Sequence, residues 1–206
     1  MKAEQDRQEE AKMRKARIDR KTNETDVCVE INIDGKGEHN VSTSMPFVDH
    51  MLSLMAHHGL FDLKLRATGD TEVDYHHLME DIGITIGSAI SEALGDKAGI
   101  RRYGFAKIPM DESLAEVVID LSGRPYLVYN TPPSEGSLRD LPVALFEDFF
   151  RALSTHAMMN LHIAVQYGRD LHHIYEAIFK AFGRALNEAT SKDKVRRGVP
   201  STKGRL

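Results

Sequence analysis

The 206-residue sequence has no tryptophan, one cysteine and no long apolar run. A single cysteine, Cys28, cannot form an internal disulfide, which excludes a disulfide-stapled fold and favours a reducing compartment. No apolar stretch approaches the ~20 residues that a membrane-spanning helix needs, and the N-terminus is charged where a signal peptide would be apolar. The net charge of −4 leaves no basic excess for nucleic acid. We therefore expect a cytoplasmic protein with neither a membrane nor a nucleic acid as partner.

Histidine, by contrast, is abundant: the chain has 10, and most of them lie in close groups. Two of the groups belong to the same motif, His-His-x-x-Glu, at residues 76–80 and 172–176. One such pair at a helix start is usually a surface or capping feature, but two copies in matching places of a repeat are difficult to produce by accident. Because imidazole beside carboxylate is typical of metal ligands, we interpret the motifs as a metal site.

The two halves of the chain repeat with a period of about 96 residues, the spacing of the two motifs. Each half is predicted to contain strands, a helix, a further strand and a long helix. The helices are expected at residues 47–58, 76–94, 145–156 and 171–189. Residues 27–33 alternate as a half-buried strand, with residues 39–44 as its antiparallel partner, and Gly59 is expected to end the first helix.

This order predicts an α+β fold made of two similar lobes, with antiparallel sheets and the helices on one face of each. We place the first lobe at residues 18–98 and the second at residues 99–206. Residues 1–17 are almost all charged or small, so we interpret them as a charged extension outside the lobes.

The helical geometry of the motif determines which side chains can share an ion. Residues four apart lie on one helix face, so His76 and Glu80 can bind one cation together. His77 is rotated by roughly 100° and points elsewhere. In the second copy, His172 and Glu176 form the pair and His173 points away. If the lobes are related by a pseudo-twofold axis, each second histidine completes the other pair, giving two ions. Mixed imidazole and carboxylate ligation suits Mn, Fe or Zn better than Mg or Ca.

Several other polar residues allow two interpretations. His50, at a helix start, is either a capping partner or a ligand. His58, close to Gly59, fits a C-terminal helix cap, where imidazolium is favourable. Arg102 and Arg124 are either surface charges or phosphate-binding groups. Residues 201–204 (STKG) have the composition of a flexible tail, but a hydroxyl, an ammonium and backbone N–H groups together also suit a phosphate.

The motifs of the chain closely resemble those of the imidazoleglycerol-phosphate dehydratase family of histidine biosynthesis, from about residue 18 to the end. The resemblance implies a carbon–oxygen lyase (hydro-lyase) that dehydrates imidazole glycerol phosphate to imidazole acetol phosphate with two Mn(II) ions per active site. It also implies helices sandwiched between two four-stranded sheets, and a homo-oligomer of 24 subunits whose sites are shared between subunits. The matching segments are FVDHML (47–52), HG (58–59), GD (69–70), HHLMED (76–81), RRYG (101–104), MDE (110–112), DLSGRP (120–125), LH (161–162), HHIYE (172–176) and STKG (201–204).

The resemblance also implies two metal-ligand sets. The first comprises His50, His77, His172 and Glu176. The second comprises His76, Glu80 and His173. The family often adds a further histidine to the second set, and Asp148 stands at that position here. A carboxylate can bind Mn(II), so we take Asp148 as the expected ligand, with nearby His156 as the alternative.

By the same resemblance, Glu24 is the acid/base of the reaction, and the phosphate is held by Arg102, Arg124, Ser201 and Lys203. Catalytic roles are implied for Glu24, His50, His76, His77, His172 and His173. The same residues without His173 are also implied to contact the substrate, and so are His58 and Glu80. Two other kinds of function use the same ligands: a dinuclear metallohydrolase with a bridging hydroxide, and a non-catalytic metal-binding or storage shell. An assay with the substrate distinguishes them, whereas bound metal alone does not.

Overall fold

The computed structural model describes residues 14–131 and 135–206. The first half contains strands β1 (Lys15–Lys21), β2 (Thr25–Asn32), β3 (His39–Ser42) and β4 (Asp62–Gly69), and helices α1 (Pro46–Gly59) and α2 (His76–Leu94). The second half contains strands β5 (Tyr103–Met110), β6 (Ser113–Asp120) and β7 (Tyr126–Asn130), the two-residue strands β8 (Ser137–Leu138) and β9 (Leu141–Pro142), and strand β10 (Asn160–Tyr167), with helices α3 (Leu145–His156) and α4 (Leu171–Thr190). None of the described helices is both long and apolar enough to cross a membrane.

The two halves have the same sheet topology. The first sheet has the strand order β1-β2-β4-β3, and the second has the order β5-β6-β10-β7. In each sheet two antiparallel pairings are followed by one parallel pairing, β3 with β4 and β7 with β10. The predicted α+β fold with two similar four-stranded lobes is therefore confirmed.

The predicted pairing of the third strand is wrong. β3 does not pair antiparallel with β2, but parallel with β4, where Val41 lies opposite Leu65. Both edges of β2 are occupied, by β1 and by β4. The physical reason is helix α1, which follows β3 and returns the chain so that β4 runs in the same direction, as parallel neighbours require. Each sheet is consequently mixed.

The expected end of the N-terminal extension, at residue 17, falls inside strand β1. This strand pairs with β2 along its whole length, from Lys15 opposite Asn32 to Lys21 opposite Asp26. Only Ala16 is buried in it, and Ile18 is half-buried. The strand was not predicted because its outward side chains are charged and its inner face has few apolar residues. An edge strand needs few apolar residues on its inner face, and charge protects its free edge from pairing with other strands. Residues 1–13 of the predicted extension lie outside the described residues.

The helices form a double layer between the sheets. In β2 the side chains of alternate residues, from Thr25 to Ile31, are buried on one face, which packs on α2. In the second half α4 packs on β5 and β6. Between the two sheets, α1 packs on α4 and α2 packs on α3, so each helix pair combines one helix from each half. This layer holds the hydrophobic core and places the starts of α1 and α4 side by side.

Two glycines allow the helix pairs to approach closely. A Cβ atom on Gly183 of α4 would lie 2.3 Å from the backbone oxygen of Met55 in α1. A Cβ atom on Gly87 of α2 would lie 2.5 Å from the backbone oxygen of Leu153 in α3. Since the two glycines are 96 residues apart, the same contact occurs in both copies of the repeat. These contacts determine how far apart the helix axes lie.

Helix α1 ends at Gly59 as predicted, but Gly59 is not its left-handed cap. The helix includes Gly59, and Leu60 follows it in the left-handed conformation with φ of 55°. Gly59 faces Gly183, whose oxygen would lie 2.9 Å from a Cβ atom at position 59. The absence of a Cβ atom at this position therefore serves the contact between α1 and α4 and not the turn.

Candidate metal centre

The starts of α1 and α4 bring His50, His172 and Glu176 together. Their ligand atoms all lie within 4.8 Å of one another, and we call these three residues the His50 cluster. His50 Nε2 lies 3.5 Å and His172 Nε2 lies 3.2 Å from the same carboxylate oxygen of Glu176. His172 follows Asp170, the N-cap of α4, whose side chain accepts the backbone N–H of His172. Among residues 14–131 and 135–206, this is the group of three with metal-ligand spacing.

Glu176 carries the negative charge of the His50 cluster. Its side chain is buried, and burial alone would raise its pKa. The hydrogen bond and charge of Lys180, together with His172 and His50, outweigh that effect, so the pKa of Glu176 lies below its ordinary value. An ionised carboxylate between two imidazole nitrogens is a donor set that first-row divalent metals prefer. The residues present therefore fit a divalent metal ion such as Mn(II).

The equivalent place in the other helix pair holds His76 and Asp148. His76 Nδ1 lies 3.7 Å from Asp148 Oδ2, and Glu80 is exposed one turn further along α2; we call these three residues the His76 group. His50 stands ten residues before Leu60, and Asp148 stands ten residues before Met158, which has the same left-handed conformation. The fold thus places Asp148 where the first half has His50. The alternative ligand, His156, is the last residue of α3, whereas Asp148 lies in its first turn.

The second histidines of the two motifs point away from these groups. His77 Nδ1 lies 3.1 Å from Asp70 Oδ2 and 3.8 Å from Glu24 Oε2. His173 Nδ1 lies 2.7 Å from Glu112 Oε2. A hydrogen bond to Asp70 raises the pKa of His77, and a hydrogen bond to Glu112 raises the pKa of His173. The rotation expected from helical geometry is therefore present.

One chain consequently does not bring each predicted ligand set together. Three members of the first set form the His50 cluster, while His77 contacts carboxylates of its own lobe. Two members of the second set, His76 and Glu80, share a helix end, while His173 contacts the β5–β6 turn. The pseudo-twofold relation between the lobes of one chain therefore does not bring the second histidine of each motif to the histidine–glutamate pair of the other motif.

The candidate phosphate-binding residues lie at the other end of α4. Arg102 donates two hydrogen bonds to the carboxylate of Asp120, at 2.6 and 3.1 Å, and one to the oxygen of Pro200 at 2.9 Å, next to Ser201. The bond to Asp120 raises the pKa of Arg102. Arg124 and Lys203 are exposed. The backbone N–H of Arg102 bonds to Ala189 near the end of α4. At ~1.5 Å per residue, His172 and Ala189 are about 26 Å apart.

Comparison with known proteins identifies the family of this chain. A sequence model of the family described as imidazoleglycerol-phosphate dehydratase matches residues 43–186. The chain belongs to the imidazoleglycerol-phosphate dehydratase family. Relatives of that name from Thermodesulfovibrio yellowstonii and Acetivibrio thermocellus are 55% and 54% identical, over 93% and 94% of this chain and 99% of each relative.

Two solved structures of the family have the same fold. The imidazoleglycerol-phosphate dehydratase of Staphylococcus aureus superposes with a TM-score of 0.78 at 39% identity, covering 87% of this chain and 99% of that one. The enzyme of Pyrococcus furiosus gives 0.78 at 37% identity, covering 92% and 100%. Membership of this family decides for the dehydratase and against the hydrolase and storage-shell alternatives.

Two residues that contact the candidate metal ligands were not predicted from the sequence. Lys180 Nζ lies 2.5 Å from Glu176, and with His58 and Arg184 it lines a groove of about 580 Å³. Burial and the charge of Lys180 lower the pKa of His58, which argues against an imidazolium cap there. The spacing of Glu176, Lys180 and Arg184 along one helix face was the available signal. The second missed residue is Glu112, the partner of His173.

Proposed function

We propose that this chain catalyses the Mn(II)-dependent dehydration of imidazole glycerol phosphate to imidazole acetol phosphate, a step of histidine biosynthesis, with two Mn(II) ions per active site. The single observation that carries the proposal is the His50 cluster, in a chain of this family. When bound, Mn(II) would act as a Lewis acid that makes the imidazole of the substrate more acidic.

The ligand sets proposed from the sequence are completed by other copies of the chain. One ion would be held by the His50 cluster and by a histidine equivalent to His77 from a second copy. The other would be held by the His76 group and by a histidine equivalent to His173 from a second copy. Because Asp148 replaces an imidazole with a carboxylate, the second set carries more negative charge than the first.

The side chains of this chain would move the proton and hold the phosphate. Glu24 is exposed in the β1–β2 turn beside His77, which suits a carboxylate that takes a proton from a substrate carbon and returns protons during the reaction. Lys180 contacts Glu176 and so places positive charge beside the His50 cluster. Arg102, Arg124, Ser201 and Lys203 would bind the phosphate from the other side.

The length of α4 supports sites shared between subunits. The candidate phosphate-binding residues lie about 26 Å from the His50 cluster along this helix, and a small phosphorylated substrate cannot span that distance. Residues of both groups meet on one substrate only if they come from different copies. We therefore infer a homo-oligomer, which would contain 24 copies of the chain.

The outer face of the second sheet supports the same inference. It carries Tyr103, Phe105 and Tyr126, which are 56%, 53% and 64% exposed. In the sheet register Phe105 lies opposite Val118, which extends the apolar row across neighbouring strands. An apolar face of this kind is typical of a surface that another protein covers, and a second copy of this chain is its expected occupant. With no nucleic acid or membrane as partner, the assembly would be cytoplasmic.

One assay tests the proposal. The purified chain is loaded with Mn(II), its mass is measured in solution, and imidazole glycerol phosphate is added. We expect an assembly of 24 chains, two Mn(II) per chain and formation of imidazole acetol phosphate. Stoichiometric metal binding without dehydration would contradict the assigned reaction, and an active single chain would contradict the shared sites.

A further inference from the structure

Glu112, in the MDE motif of the β5–β6 turn, is neither a proposed metal ligand nor a proposed substrate contact. Its carboxylate joins this turn to the start of α4. One oxygen, Oε1, accepts the backbone N–H groups of Arg169 and Asp170 at 3.2 and 2.9 Å and the hydroxyl of Ser113 at 3.1 Å. The other oxygen, Oε2, lies 2.7 Å from Nδ1 of His173. The two oxygens therefore have separate partners.

We propose that Glu112 is a positioning residue for His173: it accepts the Nδ1–H of the imidazole and so presents Nε2, unprotonated, to a divalent metal ion. The proposal rests on the proposed function, because that function makes His173 a metal ligand. A histidine that binds a metal through one nitrogen commonly donates its other N–H to a carboxylate, which fixes the tautomer and the ring orientation.

The hydrogen bonds around Glu112 determine which tautomer is present. Three donors meet Oε1 of Glu112; hydrogen bonds of this kind favour the ionised form of a carboxylate, which only accepts hydrogen bonds. Since Oε1 is fixed by three donors, Oε2 cannot rotate away from His173 without losing them. In the neutral imidazole the proton must therefore lie on Nδ1, and the lone pair on Nε2.

In the first lobe a different carboxylate contacts Nδ1 of the second histidine. Nδ1 of His77 lies 3.1 Å from Asp70, which follows β4 and does not belong to the β1–β2 turn. The residue equivalent to Glu112 in that turn is Glu24, which precedes the buried Thr25 as Glu112 precedes the buried Ser113. Glu24 lies further away, at 3.8 Å. Both second histidines thus have a carboxylate on Nδ1, although the two carboxylates come from different elements.

The variant Glu112→Gln separates positioning from a purely structural role. The amide oxygen of Gln can still accept the three hydrogen bonds that Oε1 accepts. The amide nitrogen then faces Nδ1 as a donor, so the imidazole must carry its proton on Nε2. Rotating the amide would place its N–H groups against two backbone N–H groups, which is unfavourable. A structural role predicts a normal Glu112→Gln protein, whereas a positioning role predicts a folded protein with the wrong tautomer.

Two measurements on the full-length chain test the proposal. Nitrogen NMR of the metal-free protein, labelled in histidine and studied at a pH where the imidazole is neutral, reports the tautomer of His173. A titration with Mn(II) alone reports the affinity of each site. Glu92→Gln is the control, since Glu92 is exposed near the end of α2, far from the metal-binding motif at its start. Asp70→Asn is the matched variant in the other lobe, expected to affect His77 in the same way.

We expect Glu112→Gln to move the proton of His173 from Nδ1 to Nε2 and to weaken Mn(II) binding at one site by about 10–100-fold, with Glu92→Gln unchanged. The proposal is overturned if Glu112→Gln keeps the Nδ1–H tautomer, or binds both ions as the wild-type chain does. A wild-type chain that binds no Mn(II) would instead contradict the proposed function, and with it the purpose assigned to Glu112.

Discussion

The contact between α1 and α4 at Gly183 predicts that a single added methyl group will disturb the candidate metal centre at the His50 cluster. In Gly183→Ala the new Cβ atom would lie 2.3 Å from the oxygen of Met55, about 1 Å closer than the 3.4 Å at which ordinary contact begins. The helix backbone on both sides leaves α1 and α4 no response except to separate by roughly that amount. Overpacking of this kind costs about 1–3 kcal/mol, which corresponds to a Tm lowered by about 2–12 °C for a chain of this size.

The same separation should be visible in metal binding. His50 lies in α1 and its partner Glu176 lies in α4, so a shift of roughly 1 Å between the helices moves His50 out of ligand geometry, where a tolerance of about 0.5 Å applies. We expect Gly183→Ala to weaken Mn(II) binding at the His50 cluster more than at the other site. The mirror variant Gly87→Ala should reverse the order, because Gly87 spaces the helices that carry the His76 group.

Thermal unfolding and Mn(II) titration of both variants check this reasoning. Gly198→Ala is the control, because no atom lies within 4 Å of a Cβ atom at that position, and it should match the wild-type chain. A Gly183→Ala protein with unchanged Tm and unchanged affinity at both sites would refute the idea that this contact spaces the metal ligands.

Three further predictions concern the same site. Asp148→Ala should weaken Mn(II) binding at one of the two sites only, as read by metal titration; equal weakening of both would contradict the assignment of Asp148 to one set. Glu24→Gln should leave Mn(II) binding unchanged while lowering kcat by about 10²–10⁴-fold, and an active variant would exclude the acid/base role. The hydrogen bond to Glu112 raises the pKa of His173 above 6.5, so in the metal-free chain its stabilisation is complete below about pH 6.5 and is lost as the pH rises through the raised value. The Tm of the metal-free chain, followed from about pH 6 to about pH 9, should show this loss in the wild-type chain and less of it in Glu112→Gln.

The sequence predicted the helices well because each of them combines an apolar stripe with a clear end. Helix α2 has the predicted bounds of His76 and Leu94, and Gly95 follows it as its cap. Strand β1 was missed because its inward face holds little more than Ala16 and Ile18. An edge strand covered by a helix needs no more than this, and its charged outer face has the composition of a solvated segment.

The direction of the ligand side chains was also predictable, but their partners were not. That His77 and His173 point away from the first histidine of each motif follows from the ~100° rotation between successive helical residues. The carboxylates that meet them, Asp70 and Glu112, are 7 and 61 residues distant in sequence. They meet the histidines only because the strands and turns of each sheet close beside the helix starts.

The sequence alone therefore determined the duplicated α+β fold, the two candidate metal-binding motifs and the helix face on which each candidate ligand lies, since these depend on periodicity and local geometry. Only the tertiary structure decided that α1 pairs with α4 and α2 with α3, because strand pairing and helix packing join segments that are far apart in the chain. That arrangement brings His50 to His172 and Glu176, and it leaves His77, His173 and the candidate phosphate-binding residues directed elsewhere. The separation of these groups along α4 is a property of the folded chain, and it is the physical reason to expect that a complete site needs more than one copy.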